Sequence, residues 1–264
     1  MSVKLNYKSF GEGQPLIILH GLFGMLDNWQ TLAKKLAERF EVYLVDLRDH
    51  GKSPHTEAFT YEAAARDLKE FMDDHDLTSA HLIGHSMGGK VAMVFAQQYS
   101  SRVDQLIIVD IAPKAYPGGH EEIFDGILSV DIEAAEGRSD VDLQLAKSIL
   151  DQGVRLFLMK NLSRRVEGGY EWKANFKILH ESYPEIMSEV LSGETVSHQT
   201  LFIKGGLSHY IVKDDKDLID SIFTNAEVKT VEGAGHWVHA QKPNELLAVV
   251  NEFFLRSFNR VSRP

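Results

Sequence analysis

The chain has 264 residues, 44% of them hydrophobic and 25% charged, and its 28 Lys+Arg against 38 Asp+Glu give a net charge of −10. That length and composition suit a globular chain with one sizeable core, and the acidic balance argues against a nucleic-acid partner, which would call for a basic face. Cysteine is absent, which excludes disulfides, thiolate zinc sites and thiol catalysis and points to a reducing, cytoplasmic location.

The opening stretch MSVKLNYKSFGEGQ has no apolar leader, and the longest apolar runs are strand-length, so no membrane span is expected. Apolar, β-rich runs at 15–20, 42–47, 80–84, 103–111, 200–204 and 228–231 predict strands. Several are continuous rather than alternating, as in strands covered on both faces of a parallel sheet. Helical spacing occupies 28–38, 61–75, 88–98 and 243–258; the last opens on Pro243 and repeats Leu246, Leu247, Val250, Phe253 and Phe254 along one face. Strand–helix alternation of this kind predicts a doubly wound, mostly parallel α/β sheet. The alternation lapses between Pro113 and His198, where HEEIFDGILSV, DLQLAKSILDQ, GVRLFLMKNL and YPEIMSEVL read as helices interrupted by a turn at Gly168-Gly169. The expected organisation is a core of residues 1–112 and 199–264 with a helical cap, or lid, of residues 113–198 inserted between two core strands.

Three stretches carry chemistry. Gly84-His85-Ser86-Met87-Gly88, followed by Gly89, joins the strand AHLIG to the helix GGKVAMVFAQQ. This is Gly-x-Ser-x-Gly in a sharp strand-to-helix turn, which strains the serine backbone and needs small flanking residues. The Ser86 hydroxyl would stand at a helix N-terminus, where developing negative charge is favoured. The first predicted strand ends in His20-Gly21-Leu22-Phe23-Gly24. A tetrahedral oxyanion needs two backbone donors; the Met87 amide is one, and Leu22, with Phe23 as runner-up, supplies the other. His20 reads as a buried residue holding that loop. Near the C-terminus Glu232-Gly233-Ala234-Gly235-His236-Trp237-Val238-His239 follows the last strand. His236, in a Gly-rich loop at a strand's C-terminal end, is the candidate base, with His239 its competitor.

HGLFG, DLRDHGKS, GHSMGG and GAGHWVHAQKP together resemble the motif set of the α/β-hydrolase superfamily. With VDIAP and GGLSHYIV, the whole most resembles the small YbfF-type bacterial esterases. The resemblance implies the α/β-hydrolase fold with the cap between the family's strands 6 and 7. It also implies hydrolysis of carboxylic esters of short to medium acyl chains through an acyl-enzyme, with acyl-CoA thioesters as an open extension, and neither cofactor nor metal. In DLRDHG, Asp46 and Arg48 read as a pair that fixes the loop.

Most members carry the catalytic acid after the seventh strand, where this chain has Ser208. Asp110, at the end of a run that resembles the family's sixth strand, is the preferred acid, because that strand neighbours the serine's own at about 4.8 Å. A turn-capping role ahead of Ala112-Pro113 is the plain alternative, and Asp214 and Asp215, which look solvated in KDDKD, are the remaining acids. The expected catalytic set is therefore Ser86, His236 and Asp110 with Leu22 and Met87 as oxyanion donors, acting on a small-molecule ester or thioester. Carbon–carbon bond hydrolysis or cofactor-free peroxidase chemistry on the same fold, or a non-catalytic receptor, are the competing readings.

Overall fold

Seven strands form the main sheet of the computed structural model, which describes residues 2–190 and 193–261. They are β1 (Tyr7–Phe10), β2 (Gln14–Leu19), β3 (Phe40–Val45), β4 (Ala80–His85), β5 (Val103–Val109), β8 (Thr200–Gly205) and β9 (Ala226–Val231), in spatial order β1-β3-β2-β4-β5-β8-β9. Only the edge strand β1 runs antiparallel, against β3. The chain winds outward from β2 to β3, then returns to continue through β4 in the other direction. The order therefore reverses between β2 and β4, the place where doubly wound sheets open a crevice at the strands' C-terminal ends. The loop after β2 and the turn after β4 meet there.

The flanking helices follow from apolar spacing. In α2 (Tyr61–Asp74), Tyr61, Ala64, Ala65, Leu68, Phe71 and Met72 are buried, and the Thr60 side chain caps its start by accepting from the Ala63 N–H at 3.1 Å. With α3 (Met87–Gln98) it covers one face of the sheet. The helices α1 (Gln30–Leu36) and α11 (Pro243–Val261) cover the other through Leu32, Leu36, Leu246, Val250, Phe253 and Phe254. The strand β4 is buried along its whole length, His81 and His85 included. Each such Leu or Ile contributes about 1.5–3 kcal/mol.

Between β5 and β8 lie α4 (Glu121–Leu128), α5 (Arg138–Leu145), α6 (Gln152–Leu158), a hairpin of β6 (Leu162–Arg164) and β7 (Tyr170–Trp172), α7 (Phe176–Glu181) and α8 (Tyr183–Met187). The sequence reads here as helices interrupted by a turn at Gly168-Gly169, with no strand expected on either side of it. The hairpin departs from that because Gly168 and Gly169, at φ 96° and 79°, turn the chain back on itself. In this chain the strands flanking the segment are the fifth and sixth of the main sheet in sequence order, not its sixth and seventh, a count that belongs to the family. Leu191, the last residue of the stretch YPEIMSEVL, and residues 262–264 of the expected core lie outside the described residues.

The loop after β3 departs from expectation. Arg48 pairs not with Asp46 but with Asp67 on α2, through two hydrogen bonds of 2.6 and 2.8 Å, both side chains buried. Asp46 instead accepts from the Leu26 and Lys52 amides and the Asn6 side chain at 2.7–2.9 Å. Removing one partner of a buried pair leaves the other charge uncompensated, so Asp67→Ala is expected to cost about 3–5 kcal/mol of stability in urea denaturation.

Candidate active site

The turn after β4 holds Ser86 at φ 52° and ψ −122°, a conformation that costs on the order of 1–3 kcal/mol and persists only where its surroundings enforce it. The glycines make the turn possible: a Cβ on Gly88 would lie 2.4 Å from the His20 carbonyl oxygen, and one on Gly84 would lie 2.4 Å from that of Gly88. The strand β5 likewise ends because Asp110 turns to φ 53°. That turn places its carboxylate, fully buried, at the C-terminal edge of the sheet beside β4 and β8.

The structure brings Ser86, His236 and Asp110 into one hydrogen-bonded line. His236 Nδ1 is 2.8 Å from Asp110 Oδ2, and His236 Nε2 is 3.0 Å from Ser86 Oγ. Because the carboxylate can only accept, Nδ1 carries the proton, and Nε2 is left to accept from the serine hydroxyl. The other Asp110 oxygen accepts from the Gly205 N–H at 2.8 Å. Ser208, standing where the family usually has its acid, donates its hydroxyl to Asp110 Oδ2, the same oxygen that holds His236. Of the three candidate acids, Asp110 is the one hydrogen-bonded to His236 among the described residues. Asp214 only leads into α9 (Asp215–Ile222). Asp215, expected to be solvated, is buried and pairs with Lys114 at 2.7 Å; the cation comes from the chain just after β5, 101 residues earlier, which the local run KDDKD could not reveal.

Leu22 and Ser86 border both a cavity of about 280 Å³ and a smaller one of about 10 Å³. Met87, the first residue of α3, lines the smaller. Among the described residues neither the Leu22 nor the Met87 amide donates to a protein acceptor, so both are free for an oxyanion. Phe23, the runner-up donor, is turned to φ 62° and its ring packs on Phe124 at 4.9 Å. His20 holds the loop: it contacts the Gly21 carbonyl through Nδ1 at 2.9 Å and takes the Leu47 N–H on Nε2 at 3.1 Å, and burial draws its pKa down to about 4. His239 is buried flat against Trp29, with ring centroids 4.6 Å apart, and burial pulls its pKa to about 3. It makes no hydrogen bond to Ser86 or Asp110.

Several residues at the site carry no local sequence signal. Tyr210 stacks on His236 at 3.8 Å and 18°. Tyr116 anchors it by donating its hydroxyl to the Tyr210 carbonyl at 2.6 Å. Lys90, one turn after Ser86, is buried under the segment between β5 and β8, donates to the Ser188 carbonyl, and is lowered to about 8 by desolvation. Of the apolar residues between β5 and β8, Phe157 lines the larger cavity and Met187 the smaller, whereas Phe124 and Phe176 pack inside.

A family model described as "alpha/beta hydrolase fold" matches residues 14–243. The esterase YbfF of Escherichia coli (strain K12) is 37% identical over 92% of this chain and 93% of its own. An sn-1-specific diacylglycerol lipase of Mus musculus is 36% identical over 90% of this chain and 80% of its own. Among solved structures, a marine microorganism esterase superposes with a TM-score of 0.93 at 42% identity, covering 96% of this chain and all 100% of that one. On the strength of the sheet order, the strained serine turn and these matches, the chain belongs to the α/β-hydrolase fold family.

Proposed function

We propose that this carboxylesterase-type hydrolase cleaves carboxylic esters of short to medium acyl chains, with Ser86 as nucleophile, His236 as base and Asp110 as acid. The observation that carries the reading is the unbroken line from buried Asp110 through His236 to Ser86 on the wall of a cavity. Ser86 Oγ attacks the ester carbonyl as its proton passes to His236 Nε2. The carbonyl oxygen, now negative, takes the Leu22 and Met87 N–H donors. His236 returns the proton to the departing alkoxide as the C–O bond breaks, leaving an acyl-enzyme. Water, deprotonated by the same nitrogen, then releases the acid and restores Ser86. Asp110 holds the Nδ1–H tautomer and offsets the imidazolium charge.

Residues 113–198 act in this reading as a lid, contributing Ile123, Val154 and Phe157 to an apolar cavity wall suited to a small-molecule ester. Among the described residues no group of three or more His, Asp or Glu is placed to hold a metal ion, and no helix is long and apolar enough to cross a membrane. The lack of cysteine fits the cytoplasm as the proposed location. Turnover of p-nitrophenyl acetate and butyrate without added metal tests the proposal. Turnover that survives Ser86→Ala yet stops on adding a chelator would refute it.

Thioesters enter through the hairpin. Lys160, Arg164 and Arg165 are exposed on or beside β6, and Lys173 follows β7. Arg165 lies 3.7 Å from Glu171, and together with Lys160, Arg164 and Lys173 it leaves a net cationic patch on an acidic chain, suited to the phosphates of acyl-CoA. Replacing Arg164 and Arg165 together by Glu is expected to raise KM for an acyl-CoA by on the order of tenfold while leaving neutral esters within about twofold. Equal effects on both substrate types in steady-state kinetics would remove thioesters from the proposal.

A further inference from the structure

The variable position of the Gly-x-Ser-x-Gly turn is occupied by His85, the last residue of β4, and the catalytic scheme above leaves it idle. It is nonetheless almost wholly enclosed, at 3% exposure. Its Nε2 lies 2.9 Å from the backbone carbonyl oxygen of His236, 151 residues away in sequence. Two adjacent residues of the turn therefore hold one residue of the base loop: Ser86 bonds its ring and His85 its main chain. The His85 ring is packed between His236 and His239, with centroids 4.9 and 4.8 Å away. On its remaining side, a Cβ on Gly21 would come within 2.9 Å of His85 Nδ1, so the glycine of the oxyanion loop leaves room for the ring.

We infer that His85 is a positioning residue for the base: its Nε2–H holds the His236 carbonyl so that the His236 ring spans from Asp110 to Ser86. A carbonyl only accepts, so His85 must carry its hydrogen on Nε2. Burial, then the neighbouring His239 and His236, keep His85 well below the usual histidine pKa. The ring is thus neutral, and that matters to the chemistry. A cation on His85 would oppose the imidazolium that forms on His236 in the transition state. The other groups facing His236 are Asp110 after β5, Ser208 and Tyr210 in the loop after β8, His120 ahead of α4, and His239. Those facing His85 are His236, His239 and His20. None of these supplies a second donor to the His236 carbonyl among the described residues.

The inference rests on the serine-hydrolase reading, and its test separates the two. His85→Phe keeps a ring between His236 and His239 but removes the donor. It is expected to lower kcat for p-nitrophenyl acetate by about 10- to 100-fold with KM within about twofold, the penalty of a slightly misplaced base. His85→Gln puts an amide N–H near the position of Nε2 and is expected to recover kcat to within about threefold of the parent. A His85→Phe enzyme that turns over at the parent rate, still dependent on Ser86, overturns the inference and leaves the hydrolase reading intact. So does a His85→Gln enzyme as slow as His85→Phe, since ring packing alone would then explain the loss. Loss of the Ser86 dependence itself overturns the hydrolase reading instead. Should His85→Phe fail to fold, ring-nitrogen NMR of the parent protein with isotope-labelled histidine decides: a neutral Nε2–H tautomer at His85 supports the inference, and an Nδ1–H tautomer overturns it.

Discussion

Ser86→Ala and His236→Ala are each expected to lower kcat by about 10⁴-fold or more in a p-nitrophenyl butyrate assay, and the double variant by little beyond either one. The non-additivity follows from the hydrogen bond between them: without the serine the base has no proton to take, and without the base the serine is a neutral alcohol. A residual rate above that in water is expected to remain, because the proposed oxyanion donors, the Leu22 and Met87 amides, would still act when water attacks directly. Both side chains are only partly buried, so circular dichroism is expected to show the parent fold. A tenfold or smaller loss in Ser86→Ala would mean that another group carries the chemistry.

Asp110→Asn is expected to cost about 10²- to 10⁴-fold in kcat with little change in KM, since the interaction lost strengthens only as the imidazolium forms. The amide keeps the shape of the carboxylate. Its NH₂ can, however, face Nδ1 and stabilise the wrong tautomer, and Ser208, which now donates to Oδ2, can reverse to accept from that amide. Asp214→Asn is expected to cost less than about threefold, as a helix-start residue away from the line. Asp215→Asn should show in stability rather than turnover, because Asp215 is tied to Lys114. Ser208 and His236 share one oxygen of Asp110, so a carboxylate at 208 would begin close to His236. Ser208→Asp in the Asp110→Asn background is accordingly expected to recover about tenfold of the lost rate. Steady-state kinetics on the four variants check the set; near-parental turnover in Asp110→Asn would move the acid elsewhere.

What the sequence made legible was local chemistry whose conformational demands are severe. The turn around Ser86 tolerates only glycine at positions where a Cβ would strike a carbonyl, so its motif announces itself. The strands β4 and β5 are buried almost throughout and carry apolar runs at Leu82-Ile83 and Leu106–Val109. Asp110 was reachable because strand adjacency carries it to Ser86 whatever the loops do. Contacts decided by side chains meeting from distant segments were not legible. Arg48 has an acid two residues before it and another nineteen after it, and only the packing of α2 against the loop selects Asp67. Tyr210 is an ordinary loop aromatic until the fold lays it on His236. The edge strand β1 is short and mostly exposed and the β6–β7 hairpin short and only partly buried, so neither carries the apolar pattern that marks a buried strand.

The central claim is that Ser86 is an activated nucleophile. The most direct measurement is covalent labelling by a fluorophosphonate, followed by mass spectrometry of the digested protein. One equivalent of label is expected on the peptide containing Ser86, forming rapidly in the parent, about 10²-fold or more slowly in His236→Ala, and not at all in Ser86→Ala. Label on a different residue, or equal labelling rates with and without His236, would contradict the account.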